Sequence, residues 1–311
     1  YPEFYKSIQQ QEVKLQKDYT KALQNLNNEK ESSSSKKIIP VVVHIIHTAD
    51  GRGNISDESV HAAIKALNKN INGQSDKFEA KTPDVFAALR GVADVEFRLA
   101  KIDPEGAPTT GILRIESELS DLESQPDIPS NTVKTLSYWN SYEYYNLWVV
   151  YKFAPLGGGS ILLGYAQFPG QDILTDGVVL VHNHMEDPES TTLTHETGHW
   201  LGLCHPWDCS SGTCGTDNIF DTPPSREANG NSPALGGSWD NAFPYHVGLV
   251  NQATLWGCLD SNQNWAGEMY MNYMDYTNDN YCTMFSKGQV EVFNETLEGT
   301  DDQPIGFREY L

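Results

Sequence analysis

Three histidines and a glutamate stand within eleven residues of this chain, in the run His195-Glu196-Thr197-Gly198-His199-Trp200-Leu201-Gly202-Leu203-Cys204-His205. Placed on a helix, His195 and His199 fall at i and i+4 on one face, where both imidazoles reach a single metal ion. Glu196 projects beside them, near enough to take a proton from a metal-activated water. Gly202 adopts a left-handed backbone at little steric cost, so it can end the helix and turn the chain sharply. That turn would return His205 as a third ligand. Three neutral nitrogens with one open position describe a catalytic zinc rather than a closed structural one.

The elements that must position these groups are legible on either side. Ile38 to His47 is nearly continuous apolar and β-branched sequence, the pattern of a strand buried on both faces. His44 and His47 within it share no ligand spacing with a neighbour and read as strand or rim histidines. Ser56 caps a helix carrying Val60, Ala63, Ile64, Leu67 and Ile71 on one stripe, and Gly73 stops it. Further strands are expected over 94–102, 145–152 and 177–183. Gly157-Gly158-Gly159 lacks the Lys-Ser and helix of a phosphate cradle and reads as a loop. Residues 206–272 are irregular and rich in Gly, Asn, Asp and Ser, a region that needs fastening. Ser286 caps a last helix reaching about Leu297, and the acidic tail from Gly299 is expected to pack loosely. At the other end, residues 5–28 have the spacing of an amphipathic helix, followed by a serine-rich linker. Residues 1–36 are therefore an arm or pro-segment remnant.

Composition narrows the class. The 311 residues carry 42 Asp and Glu against 21 Lys and Arg, a net charge of −21 that argues against nucleic-acid binding. No run approaches the roughly 18 apolar residues of a membrane span. The five cysteines, at 204, 209, 214, 258 and 282, all lie late in the chain, which suggests local disulfides and an oxidising, extracellular setting. The count is odd. Cys204 sits between two expected buried positions and is read as the unpaired one.

A bare H-E-x-x-H arises by chance, but its extension by Gly202 and His205 resembles the metzincin zinc peptidases. Metzincins carry a methionine turn further along, and Asn272-Tyr273-Met274-Asp275-Tyr276 supplies one. On its own Met274 would be a core methionine. From about Ile38 to Leu297 the chain resembles one metzincin family, the pappalysins, and especially its secreted bacterial members. The resemblance rests on Ile39-Pro40-Val41-Val42-Val43-His44, Leu163-Gly164-Tyr165-Ala166-Gln167-Phe168-Pro169 and the histidine motif. Cys214-Gly215, Asp221-Thr222-Pro223 and Met271-Asn272-Tyr273-Met274-Asp275-Tyr276 complete it.

The resemblance implies an α+β, two-lobed peptidase. An upper lobe over 37–202 would hold a twisted, mixed five-stranded sheet with helices. A lower, irregular lobe over 203–311 would be fastened by disulfides and calcium. Zinc on His195, His199 and His205 would activate water, with Glu196 as general base, above the floor made by Met274. Tyr276 would donate a hydrogen bond near the metal or the oxyanion. Protein or peptide substrates would lie extended along an edge strand in the cleft between the lobes. Calcium is implied at Asp217 and Thr222 by side chain and at Phe220 by its carbonyl, with Asp221 nearby. The implied disulfides are Cys258–Cys282 and, less directly, Cys209–Cys214. Two departures from the family stand out: a long insertion around 226–256, and one extra residue between Met274 and Cys282, in the segment that shapes the pocket after the cleaved bond in relatives, where acidic Asp279 would favour Arg or Lys. The implied activity is that of a secreted zinc endopeptidase. The competing reading is a latent or non-catalytic, zinc-containing surface binding protein.

Overall fold

The computed structural model describes residues 36–125, 129–156, 161–209, 214–225, 228–229, 269–299 and 308. The expected N-terminal helix and linker, the Gly157-Gly158-Gly159 loop, Cys258 and nearly all of the 226–256 insertion lie outside them. The chain forms two compact units. One contains residues 35–69, 94–201 and 307–311, and the other contains 70–93 and 202–306.

The first unit is built on β1 (Lys37–His47), whose apolar run is buried on both faces as its sequence demands. β1 pairs in parallel with β4 (Tyr145–Val150) on one side. On its other side it pairs with β2 (Val95–Leu99) and then, further along, with β3 (Ile112–Glu116), both parallel. Beyond β4 come β6 (Val178–Val181), parallel, and β5 (Gly164–Ala166), antiparallel at the edge. The sheet thus has six strands where five were expected, because β2 and β3 share one flank of β1 end to end. Helix α1 (Asp57–Ile71) follows β1, with Ser56 Oγ accepting from the Ser59 amide at 3.1 Å. Trp148, Val150, Val179 and Ile46 are fully buried in one apolar cluster of this sheet.

His44 is a structural residue. It is fully buried, its Nε2 pairs with Asn146 Oδ1 at 3.0 Å, its Nδ1 with Ser137 Oγ at 2.7 Å, and it stacks on Trp148. Burial lowers its pKa to about 4, so the ring is neutral in the folded protein at neutral pH.

In the second unit, the last helix, labelled α4 below, acts as a fastening point. It spans Lys287–Glu298 and begins with a full capping box between Ser286 and Gln289. Gln289 also exchanges two side-chain hydrogen bonds with Asn272, at 2.7 and 3.1 Å. Asn272 Oδ1 in turn accepts from the amide of Met274 at 2.9 Å. Residues 70–93 join this unit through Gly91 and Lys287, whose amides bond the carbonyls of Phe285 and Leu89.

The structure corrects four expectations here. Cys204 is not the odd cysteine: it is disulfide-bonded to Cys209, with Cα atoms 6.0 Å apart. The turn through Pro206 and Trp207 brings those two together, so Cys209 does not pair with Cys214, which is itself disulfide-bonded. The expected Cys258–Cys282 bridge is not formed either. Cys282 is buried as a thiol, its Sγ donating to the Thr277 carbonyl at 3.5 Å. The tail, finally, does not pack loosely throughout, since Arg308 is buried.

Candidate active site

After β6 the chain forms a short helix, α2 (His182–Glu186), and then α3 (Thr192–Trp200), in which every residue from Leu193 to Trp200 is buried. His195 and His199 sit one turn apart, with ring centroids 4.8 Å apart and nearly perpendicular planes. Gly202 takes φ +99°, the left-handed turn expected of it, and the chain comes back through His205. One ligand atom from each of the three histidines lies within 4.8 Å of the others. Donors this close suit one small cation with nitrogen bonds of about 2.0–2.1 Å.

Two of the three rings pack against aromatic neighbours. His199 packs against Phe168 at 5.3 Å. His205 stacks flat on Trp207, with centroids 4.9 Å apart and planes 2° from parallel. Tyr276 meets both His205 and Trp207 edge-on, at 4.7 and 5.2 Å. Asp208 then fixes the tautomer. Its Oδ2 lies 2.5 Å from His205 Nδ1, and its Oδ1 accepts from the His205 amide at 3.1 Å. With Nδ1–H donated to a carboxylate, Nε2 keeps its lone pair for a metal.

Asp208 and Trp207 were not singled out in the sequence, although a carboxylate three residues past a candidate ligand was the available signal. Asp208→Ala is expected to weaken zinc binding by about 10–100-fold. Its side chain is 45% exposed, so its loss orphans no buried group and the melting temperature should not fall. Parental zinc affinity in this variant, by competition with a chromogenic chelator, would refute the orienting role.

Glu196 is buried beside the histidines, and burial pushes its pKa up to about 8. Edge strand β5 approaches it closely: a Cβ on Gly164 would stand 3.0 Å from Glu196 Cγ. Met274 is fully buried, and Tyr276, 51% exposed, is not the packed core tyrosine its neighbours could have made it. Asp275 is buried and accepts from the Asn229 amide and side chain at 2.9 and 2.7 Å. The second metal-type cluster among the described residues, Cys204, Asp208 and Cys209, contains the disulfide itself.

The expected calcium residues part company. Asp221 is committed to α4: Ser286 Oγ donates to one oxygen at 2.6 Å and the Gly288 amide to the other at 2.9 Å. Asp217 is buried with Oδ1 accepting from the Ile219 amide and Thr222 Oγ1, while its Oδ2 has no hydrogen-bond partner. Burial raises its pKa to about 7.

A mixed sheet with an antiparallel edge strand, a buried helix bearing two histidines and a glutamate, and a glycine turn to a third histidine define a metallopeptidase. Residues 128–298 match the Peptidase_M43 family, described as pregnancy-associated plasma protein-A, and the chain belongs to it. This is the pappalysin family of the sequence resemblance, and the chain is an extracellular metalloendopeptidase. Mature mirolysin of Tannerella forsythia, solved in complex with a cleaved peptide, is 36% identical. The match has a TM-score of 0.69 and covers 89% of this chain and 96% of that one. A promirolysin variant from the same organism is 34% identical, with a TM-score of 0.69 over 94% of this chain and 90% of that one. An extracellular metalloprotease of Arthroderma otae is 24% identical over 290 residues, which is 88% of this chain and 83% of the relative. Among the described residues no helix is long and apolar enough to cross a membrane.

Proposed function

We propose that His195, His199 and His205 hold one catalytic zinc ion and that Glu196 is the general base of peptide hydrolysis. The observation that carries this is the convergence of three imidazole nitrogens within 4.8 Å, on the motif that holds buried Glu196. Zinc, when bound, polarises the scissile carbonyl and brings the pKa of water down to about 7. Glu196 takes the proton of the attacking water and returns it to the departing amine. A dry carboxylate suits that exchange, because little solvent must reorganise around it. Tyr276 donates a hydrogen bond to the oxygen that gains charge, from its exposed position beside His205. Met274 provides the apolar floor.

The substrate in this reading is an extended peptide added along β5, which ends the sheet order among the described residues. The catalytic lobes in this reading are 37–202 and 203–311, with 1–36 an N-terminal arm or pro-segment remnant. Calcium would sit at Asp217, Thr222 and the Phe220 carbonyl, supported by the unpartnered buried Oδ2 of Asp217. Asp221 is not needed for it.

Incubation with a proteome-derived peptide library tests the whole reading. Cleavage is expected with zinc present, its loss with a chelator, and its return on adding zinc. Resistance of the cleavage to a chelator would sink the assignment. The same profile reports on Asp279, which favours Arg or Lys after the cleaved bond. Large apolar residues there would remove that role.

A further inference from the structure

Among the described residues, one closely held cation is left unused by the mechanism. Arg308 lies in an acidic tail, yet it is 6% exposed. Its Nη1 pairs with Asp176 Oδ2, its Nη2 with Asp176 Oδ1 at 2.8 Å, and its Nε donates to the carbonyl of Trp200 at 2.8 Å. Nη2 also reaches the Gln167 carbonyl at 3.3 Å, and the guanidinium lies 4.0 Å above the Trp200 ring. Asp176 Oδ2 receives the Trp200 indole N–H as well, at 3.3 Å.

Trp200 is thus gripped at its carbonyl, its ring face and its indole nitrogen, and it is the last residue of α3, next to His199. The carbonyl is one of those a helix leaves unpaired at its C-terminal end, where a cation also favours the helix dipole. The ring of Trp200 lies 4.1 Å from that of Tyr145 on β4, and the Tyr145 hydroxyl bonds Thr197 Oγ1 at 3.0 Å. Thr197 is two residues from each histidine, hence about 200° round the helix from both. These bonds therefore fix the rotation of α3 from the side away from its ligands.

A buried ion pair is weak evidence for stability, since an apolar residue would fill the same space at a smaller desolvation cost. What the planar, five-donor fork supplies is direction. We propose that Arg308 is a positioning residue of the metal centre: the C-terminal tail supplies a guanidinium that clamps the end of α3 and sets the aim of His195 and His199. This rests on the zinc reading above, and a parent protein that bound no zinc would fail that reading before any variant was compared.

Arg308→Met and Arg308→Lys decide the matter in the full chain. The readouts are the half-life of bound zinc under excess chelator and the visible spectrum of the cobalt-substituted protein, with melting temperature and steady-state kinetics alongside. Arg308→Met is expected to shorten the zinc half-life by roughly 10-fold or more and to shift the cobalt band. It should lower kcat with KM within about twofold, because the lost aim acts on chemistry rather than on peptide binding. Arg308→Lys keeps the charge without the fork and should show the same changes in smaller measure. Parental zinc half-life and cobalt spectrum in either variant, whatever the melting temperature does, would overturn the proposal and leave the arginine as tail packing. If Arg308→Met does not accumulate as folded protein, Arg308→Lys decides by the same two readouts.

Discussion

Glu196→Gln is expected to reduce peptide turnover by about 10³–10⁴-fold, near the upper range for loss of a general base, while zinc content stays at one ion per chain. The glutamine amide has the shape of the carboxyl but cannot accept the proton of water. Burial already disfavours charge at this position, so a neutral isostere places no new burden on the fold and the melting temperature should hold. Gly164 leaves room for the side chain against β5, and the amide requires no more. Metal analysis and single-turnover kinetics on the purified variant check both halves. Turnover within about tenfold of the parent would remove Glu196 as the base.

The features legible in the sequence were those whose cause is local. The i, i+4 histidines, the left-handed Gly202, the caps at Ser56 and Ser286 and the apolar run of β1 each follow from a few neighbouring residues. The structure places them where periodicity and capping do. The misses involve pairs whose partners are chosen by the path of the chain. Asp221 was placed only near the implied calcium residues, and nothing in the sequence signalled that its carboxylate meets the start of α4, sixty-seven residues away at Gly288. Arg308 was not singled out in the acidic tail, and its partners Trp200 and Asp176 lie 108 and 132 residues away. Cysteine pairing has the same character: composition predicted disulfides in this region, but only the turn after Gly202 sets Cys204 against Cys209.

His205→Ala should cost more zinc affinity than Asp208→Ala, beyond the roughly 100-fold upper end for a residue that only orients a ligand. It should leave the variant essentially inactive at any zinc concentration that keeps the parent saturated. His195 and His199 are held by a buried helix and survive the change, so two ligands remain with two positions open to water. Such a site binds weakly, and a second open position destroys the geometry that aims one water at one carbonyl. The variant is more informative than a change at either helical histidine. Removing His199 would also disturb the packing on Phe168 inside a wholly buried helix, whereas His205 stands on a turn whose neighbours Trp207 and Tyr276 can close over the gap. Isothermal titration of the metal-free proteins with zinc gives the ranking directly: parent tightest, Asp208→Ala next, His205→Ala last. If His205→Ala bound zinc as tightly as Asp208→Ala, the third ligand would have to come from another residue, and the stacking of Trp207 on His205 would be packing alone.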